Sequence, residues 1–340
     1  YLTGGLGSRH QGEAFGDNYE LPNLTAYNET CAAIANVYWN YRMFLLHGDA
    51  KYIDVLERSL YNNVLAGVSL DGTAFFYPNP LECDMHYPFN RGETLTRQPW
   101  FDCSCCPTNL SRFMPSVAGY IYAQQHTDLF VNLFVQGSTE VELDKNSVKI
   151  SQTTRYPWDG VVKLNLSPSR TSKFRVKLRI PGWAQNQPVP SNLYTYENPP
   201  AQQPEIKING EKVLFTLEKG YAVLSRKWKA GDEIELILPM EVKKVVTNEQ
   251  VADNRGKIAI ERGPLVYCLE ETDNPEIDQT VISENTQFST YFDAALLNGI
   301  EVIEASGSDA NERLKAIPYF AWNNRGPNKM KVWVPALNGN

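Results

Sequence analysis

The sequence has no uninterrupted apolar run near the roughly 18 residues that a membrane-spanning helix needs, so no such helix is expected. Its formal net charge of −7 argues against a nucleic-acid-binding protein, which normally carries a basic surface. Six cysteines in 340 residues are too few for a disulfide scaffold. With an ordinary apolar content of 42%, these absences predict a soluble globular protein with room for two or three domains.

The chain also lacks an initial methionine and begins Tyr-Leu-Thr-Gly-Gly-Leu-Gly, without the charged and then apolar pattern of a signal peptide. Such a start is typical of the middle of a protein, so we expect a truncated or processed chain. For the same reason the sequence leaves the compartment open, whether periplasmic or cytoplasmic in a bacterium.

Acidic residues and cysteines are concentrated in the first third of the chain. Residues 1–106 hold six Lys and Arg against twelve Asp and Glu, and they contain five of the six cysteines. This concentration indicates either a cation site or a site for a cationic transition state. The alternative is an acidic helical surface with a few cysteines in the core.

The hydrophobic periodicity divides the chain into a helical part, residues 1–125, and a β part, residues 126–340. We expect a helix from about Thr30 to His47 that ends at Gly48, and a second helix capped by Asp49. A third helix is expected to start near Thr108. In the β part, alternation at residues 174–180 and the turn at Asn209-Gly210 predict short antiparallel strands, arranged as one or two β-sandwiches.

The segments Glu29-Thr-Cys31 and Cys103-Ser-Cys105-Cys106-Pro107 are the strongest chemical signal in the sequence. Three thiols and one carboxylate form a complete tetrahedral ligand set for zinc, which accepts both sulfur and oxygen. The spacing matches no common zinc-finger pattern, so reduced core cysteines are the alternative. Residues two positions apart do not share a helix face, so Glu29 and Cys31 converge only at an irregular helix entry.

Two further carboxylates are candidates for chemistry. Glu13 lies in a glycine-rich segment, and Glu57 lies in the apolar stripe of the second helix, where an unpaired carboxylate is costly. The structural alternatives are a surface residue for Glu13 and an ion pair with an arginine such as Arg58 or Arg97 for Glu57. Tyr77, in an aromatic run, is either a core or a site residue.

Nine segments of the sequence together carry a family resemblance, at residues 1–7, 12–15, 19–23, 26–31, 56–61, 76–80, 97–109, 179–183 and 263–269. These motifs resemble glycoside hydrolase family 127 and the closely similar family 146, whose characterised members are β-L-arabinofuranosidases. The resemblance covers essentially the whole chain, and the motifs that end in cysteine are the most specific.

The resemblance implies an α + β multidomain fold, in which the C-terminal half of an (α/α)₆ toroid is followed by β-sandwich domains. It also implies a retaining hydrolase that releases terminal β-L-arabinofuranose from an arabinose-containing oligosaccharide, and an upstream half of the toroid that completes the site. The roles it implies are zinc ligation by Glu29, Cys31, Cys105 and Cys106, nucleophilic attack by Cys105, acid/base catalysis by Glu13, and contacts of Glu57 and Tyr77 with the sugar. Cys103 receives no role.

Three alternatives to this mechanism stay open. Four protein ligands are typical of a structural zinc, so the first alternative is a structural zinc beside a conventional Glu13 and Glu57 carboxylate pair. The second is a non-catalytic carbohydrate-binding or scaffold protein. The third, a cysteine protease, is weaker because none of the four histidines is placed as its base.

Half of a toroid leaves apolar helix faces uncovered, and we expect this of the face that carries Ile53, Leu60 and Val64. The isolated chain is therefore expected either to form a homo-oligomer or to need the upstream polypeptide.

Overall fold

The helices lie in the first third of the chain. The structure, a computed structural model, describes residues 1–144, 146–306 and 313–337. The helices are α1 (Thr30–His47), α2 (Ala50–Arg58), which continues as a π-helical turn (Ser59–Val64), and α3 (Cys105–Phe113), which continues as a 3₁₀ segment (Met114–Tyr120). Further 3₁₀ turns are Gln11–Glu13, Gly182–Gln185, Ala252–Asn254 and Tyr319–Ala321.

Strands are the main regular structure of the remaining chain, so the molecule is rich in β-structure and has few helices. In chain order they are β1 (Glu82–Cys83), β2 (Tyr122–Gln125), β3 (Asp128–Val131), β4 (Gly137–Leu143), β5 (Asn146–Thr154), β6 (Val161–Pro168), β7 (Ser172–Arg179), β8 (Tyr194–Tyr196), β9 (Glu205–Ile208), β10 (Glu211–Val213), β11 (Leu217–Glu218), β12 (Tyr221–Trp228), β13 (Asp232–Ile237), β14 (Val242–Thr247), β15 (Lys257–Arg262), β16 (Leu265–Glu270), β17 (Ile282–Ser283), β18 (Gln287–Asp293), β19 (Ile300–Ser306), β20 (Leu314–Pro318), β21 (Met330–Lys331) and β22 (Val334–Leu337).

The first two sheets share one core. A six-stranded sheet has the order β10-β9-β13-β6-β5-β4, and a five-stranded sheet has the order β11-β12-β7-β3-β2. Alternate side chains of β6 and β7 are buried, and residues of both sheets, such as Leu164 and Val176, belong to one hydrophobic cluster. This alternation is what two facing sheets require. Asn209 and Gly210 both have positive φ, and they join β9 to β10 in the predicted hairpin.

A third sheet of eleven strands contains most of the C-terminal region. Its main path is β17-β22-β15-β16-β20-β19-β18, and β14, β8, β21 and β1 pair beside it. Strands β15 and β16 form an antiparallel pair, and Gly263, at φ 57°, turns the chain between them. The short strand β1 pairs with β21, which ties the helical region to the C-terminal sheet.

The first two helices follow the sequence prediction closely. Gly48 adopts the left-handed conformation that ends α1, and the side chain of Asp49 accepts a hydrogen bond from the backbone N–H of Lys51 at the start of α2. The third helix begins at Cys105, three residues before the predicted start. Pro115 lies in the 3₁₀ segment that follows. Within the described residues, no helix is long and apolar enough to span a bilayer.

The prediction of an uncovered face on α2 is wrong. Ile53, Leu60 and Val64 are buried, because α2 and the π-helical turn pack against α1 in one core cluster. Within the described helices α1 and α2, the large exposed apolar side chains lie instead on α1, where Trp39 is 66% and Leu46 is 75% exposed. The helical region therefore has an uncovered apolar surface, on a different helix from the predicted one.

Candidate active site and metal centre

The structure brings together Glu29, Cys31, Cys105 and Cys106. Their ligand atoms all lie within 4.8 Å of one another. An oxygen of Glu29 lies 3.5 Å from the sulfur of Cys106 and 3.7 Å from that of Cys105, and the two sulfurs are 3.9 Å apart. The six cysteines form no disulfide, so all three thiols are available.

The convergence of Glu29 and Cys31 depends on how the chain enters α1. Glu29 is the N-cap residue, with φ −58° and ψ 138°, whereas Cys31 lies in the first helical turn. The preceding Asn28 has a φ of 39°, which few residues other than glycine adopt. Glu29 therefore lies outside the helical spiral, and its side chain reaches the same point as that of Cys31. Cys105 and Cys106 begin α3, where the helix dipole favours thiolates.

The distances in this cluster fit a tetrahedral metal ion. Sulfur ligands at about 2.3 Å and an oxygen at about 2.0 Å from one ion are separated by roughly 3.8 Å (S to S) and 3.5 Å (S to O). The observed separations of 3.9 Å between Cys105 and Cys106 and 3.5 Å between Cys106 and Glu29 lie close to these values. The cluster could therefore hold a metal ion.

The charges of the cluster also favour a cation. Burial raises the pKa of the Cys105 thiol to about 12, and burial together with the charge of Glu13 raises the pKa of the Glu29 carboxyl. Without a cation, these groups cannot all be ionised in so small a space, because their negative charges repel one another. A thiophilic cation would supply the missing opposite charge.

Tyr77 contacts the cluster directly. The thiol of Cys105 donates to the Tyr77 hydroxyl at 2.9 Å, and the exposed Cys103 lies 4.0 Å from the same hydroxyl. The guanidinium of Arg91 lies 5.0 Å from the centre of the Tyr77 ring and pairs with Asp102. Sequence reasoning missed Arg91, because nothing in its local pattern distinguishes it from other surface arginines.

Glu13 is exposed and lies beside the cluster. Its carboxylate accepts a hydrogen bond of 2.8 Å from the hydroxyl of Tyr27. The Tyr27 ring packs against the Tyr77 ring at a centroid distance of 6.4 Å, and both tyrosines share a hydrophobic cluster with Cys106. Tyr27 thus connects Glu13 to the cysteines. The sequence analysis gave Tyr27 no role, and its place within the motif at residues 26–31 is the signal that could have indicated one.

The cluster has one open side. A cavity of about 480 Å³ is lined by Cys31, Cys105, Thr108, Asn109 and Arg112. Cys106 is fully buried, whereas Cys31 and Cys105 are partly exposed. A ligand that enters this cavity therefore meets the sulfur of Cys105 or Cys31 and not that of Cys106.

Glu57 lies in a buried ion pair, and its predicted contact with the sugar stays a prediction. It is 1% exposed, and its carboxylate pairs with Arg179 of β7 and accepts a hydrogen bond of 2.9 Å from Tyr156. Arg179 also pairs with Asp54 at 2.7 Å. Glu57 therefore joins α2 to β7, and it is not brought together with Glu13 as a carboxylate pair.

The arginine that pairs with Glu57 is also not one of those expected. Arg58 pairs with Glu261 of β15, and Arg97 donates to the backbone carbonyls of Ala66 and Trp322. An ion pair was the structural alternative for Glu57, and the structure contains that pair with a partner from a distant strand.

Three family models match consecutive parts of the chain. The β-L-arabinofuranosidase GH127 catalytic domain matches residues 1–119, the GH127 middle domain matches residues 128–240, and the glycoside hydrolase family 127 C-terminal domain matches residues 242–335. Together these matches extend over nearly the whole chain.

Individual relatives agree with the family models. A non-reducing end β-L-arabinofuranosidase of Bifidobacterium longum subsp. longum is 33% identical over 367 aligned residues, which cover 98% of this chain and 53% of the relative. A solved GH127 β-arabinofuranosidase has 44% identity and a TM-score of 0.90, and a GH127 β-L-arabinofuranosidase from Geobacillus stearothermophilus T6 has 42% identity and a TM-score of 0.88. Both alignments cover 99% of this chain and 54% of the solved chain.

The chain thus spans about half the length of these relatives. The sequence motifs, the grouping of the cysteines and the agreement of three successive family models lead to one assignment. The chain belongs to glycoside hydrolase family 127.

Proposed function

We propose that this chain is part of a retaining glycoside hydrolase that releases terminal β-L-arabinofuranose from arabinose-containing oligosaccharides. The observation that carries the proposal is the position of Cys105, which belongs to the four-residue cluster and also lines the open cavity. The relatives are described as hydrolases of this type, which favours an enzyme over a non-catalytic carbohydrate-binding scaffold.

Zinc is the metal we propose for the cluster, with Glu29, Cys31, Cys105 and Cys106 as its ligands. Three sulfurs and one oxygen suit this borderline-soft cation, and the separations of the ligand atoms support a tetrahedral site. When bound, zinc would supply the positive charge that keeps the coordinating thiols deprotonated at neutral pH.

Cys105 is the proposed nucleophile. Its thiolate attacks the anomeric carbon from the cavity, an S-glycosyl bond forms, and the bond from that carbon to the leaving oxygen breaks. In the second step a water oxygen attacks the same carbon and displaces the Cys105 thiolate. Two displacements at one carbon retain its configuration.

Glu13 is the proposed acid and base. It gives its proton to the leaving oxygen in the first step and takes a proton from the attacking water in the second. Its exposure beside the cluster and its hydrogen bond from Tyr27 support this role, because the carboxylate is held in place but stays accessible to a substrate. Tyr77, which is hydrogen-bonded to Cys105, is proposed to contact the sugar beside the nucleophile.

We further propose that residues 1–125 are the C-terminal half of an (α/α)₆ toroid, that residues 126–340 are its β-sandwich domains, and that the upstream half of the toroid completes the sugar site. Two observations support this arrangement. The chain spans about half the length of its relatives, and the exposed apolar residues of α1, Trp39 and Leu46, need a covering partner.

The test uses the protein together with its upstream polypeptide, assayed on a panel of aryl glycosides that includes a β-L-arabinofuranoside. We expect hydrolysis of that glycoside with retention of configuration, followed by NMR of the first product, and loss of hydrolysis in Cys105→Ser. The control is Cys268→Ala, which removes a buried thiol of β16 and is expected to stay active. Full activity of Cys105→Ser with zinc still bound would refute the cysteine nucleophile.

A further inference from the structure

We propose that Asn63 and Asn79 are positioning residues, which hold the backbone so that the side chain of Glu29 reaches Cys31, Cys105 and Cys106 at the proposed metal site. They act on the backbone carbonyl of Asn28, which precedes Glu29. This inference rests on the metal site of the proposed function, and it concerns residues that do not themselves touch a metal or a substrate.

The backbone at the start of α1 decides whether the side chains of Glu29 and Cys31 can meet. Side chains two positions apart on a regular helix point to different sides, yet Glu29 and Cys31 meet at one cluster. The two side chains can meet because the backbone of Glu29 is extended and follows Asn28, whose backbone is in the left-handed conformation. The orientation of the peptide group between Asn28 and Glu29 therefore decides where the Glu29 carboxylate lies.

Two buried amides fix that peptide group. The carbonyl of Asn28 accepts a hydrogen bond of 3.1 Å from the side-chain amide of Asn63 and one of 2.9 Å from that of Asn79. The N–H of Asn28 donates to the carbonyl of Gly7 at 3.0 Å. Asn28, Asn63 and Asn79 are all fully buried, so water does not compete for these bonds.

Asn79 also holds the residue on the other side of Glu29. The same amide donates to the hydroxyl of Thr30 at 2.9 Å, and that hydroxyl donates to the carbonyl of Phe76 at 2.9 Å. The N–H of Thr30 donates to the carbonyl of Tyr77 at 3.0 Å. Asn28 and Thr30, the two neighbours of Glu29, are therefore hydrogen-bonded to the segment that contains Tyr77. Tyr77 is in turn hydrogen-bonded to Cys105.

Asn63 comes from the π-helical turn that follows α2, a type of turn often found at functional sites. Its neighbour Asn62 is equally buried but faces the C-terminal sheet, where its amide donates to the carbonyl of Pro264 at 3.0 Å and its oxygen accepts from the N–H of Val266 at 2.8 Å. A Cβ atom at Gly5 would lie 2.5 Å from the oxygen of Asn63, so Asn63 has no room to move on that side. Asn62 therefore contacts the C-terminal sheet, whereas Asn63 contacts the start of α1.

This difference supplies a matched control. Asn63→Ala and Asn79→Ala each remove an amide that binds the Asn28 carbonyl, whereas Asn62→Ala removes an equally buried amide that binds elsewhere. The experiment measures the affinity of each purified chain for Co²⁺, from its thiolate charge-transfer absorption, and for Zn²⁺, in competition with a chelator. Thermal unfolding of the metal-free chains measures the loss of stability.

We expect all three variants to lower the unfolding temperature. Only Asn63→Ala and Asn79→Ala should weaken metal binding, by about 10- to 100-fold, which is the typical effect of losing a group that orients a metal ligand. Asn62→Ala should keep the wild-type affinity and the wild-type Co²⁺ spectrum. If Asn63→Ala does not fold, the comparison of Asn79→Ala with Asn62→Ala decides the question.

Wild-type affinity in Asn79→Ala and in a folded Asn63→Ala would overturn the proposal, as would an equal loss of affinity in Asn62→Ala. Failure of the wild-type chain to bind either metal is a different result. It would refute the metal site of the proposed function, and this inference with it.

Discussion

The thiol of Cys105 lies 2.9 Å from the hydroxyl of Tyr77, and this contact joins the cluster of Glu29, Cys31, Cys105 and Cys106 to the aromatic residues around it. Tyr77 is buried, and its ring is held between Arg91 at 5.0 Å and Phe101 at 5.6 Å. Tyr77 therefore presents its hydroxyl to Cys105 in a fixed position. The proposed nucleophile thus has a positioned hydrogen-bond partner, in keeping with the precise geometry that catalysis requires.

Replacing Cys31 by alanine should lower metal content and stability together. The reason is that binding free energy at such a site is also folding free energy. We expect about one zinc per wild-type chain by elemental analysis and much less in Cys31→Ala. A chelator should lower the unfolding temperature of the wild-type chain but not that of Cys31→Ala. A folded wild-type chain that contains no thiophilic metal, and is insensitive to the chelator, would contradict the site.

Replacing Glu13 by glutamine in the protein with its upstream polypeptide should affect substrates unequally. Glycosides with poor leaving groups should lose about 10²- to 10⁴-fold in kcat, whereas activated aryl glycosides should lose much less, because their leaving groups need little protonation. The control is Asp17→Asn, an exposed carboxylate of the same segment, which should leave both rates unchanged. Equal losses on both kinds of substrate would give Glu13 a different role.

Replacing Glu57 by glutamine should destabilise the fold. The substitution leaves Arg179 buried with Asp54 as its remaining acidic partner, and loss of one member of a buried pair costs about 3 kcal/mol. Asp278→Asn, which removes an exposed partner of Lys329, should cost only about 0.5 kcal/mol. Urea unfolding of the chain measures both values. If Glu57→Gln unfolds like the wild type and instead raises KM, that result would support the sugar contact that the family resemblance implies.

The exposed face of α1 should govern self-association of the isolated chain. We expect oligomers in light scattering, and the double variant Trp39→Glu/Leu46→Glu should shift them toward monomers, because it places charge on the uncovered apolar surface. Leu214→Glu, at a side chain that is 97% exposed in the β region, should have no such effect. A wild-type chain that is monomeric and fully active by itself would contradict the need for an upstream polypeptide.

Local signals in the sequence were enough to predict the helices and the main hairpin. The left-handed Gly48, the cap at Asp49 and the positive-φ pair Asn209-Gly210 each act within a few residues. The grouping of Glu29 and Cys31 with the later cysteines was implied by the family motifs, and the structure brings these residues together.

The missed ion pair of Glu57 and the missed pairing of β1 join residues that are far apart in the chain. Glu57 and Arg179 are separated by 122 positions, and β1 pairs with β21 near the other end of the chain. Hydrophobic periodicity predicts whether a side chain faces a core, but it does not predict which distant residue that side chain contacts there. The same limit explains the wrong choice of the uncovered face: α2 and α1 are both apolar on the side that they share, and only their packing shows which surface stays exposed.

The central claim, that Cys105 is the nucleophile, is tested most directly by trapping the covalent intermediate. The protein with its upstream polypeptide is mixed with an activated aryl β-L-arabinofuranoside and quenched in acid within the first turnover, and its peptides are analysed by mass spectrometry. The account predicts one pentosyl group on the sulfur of Cys105, and none in Cys105→Ser. A pentosyl group on a carboxylate, or an active enzyme that never carries a sugar, would contradict it.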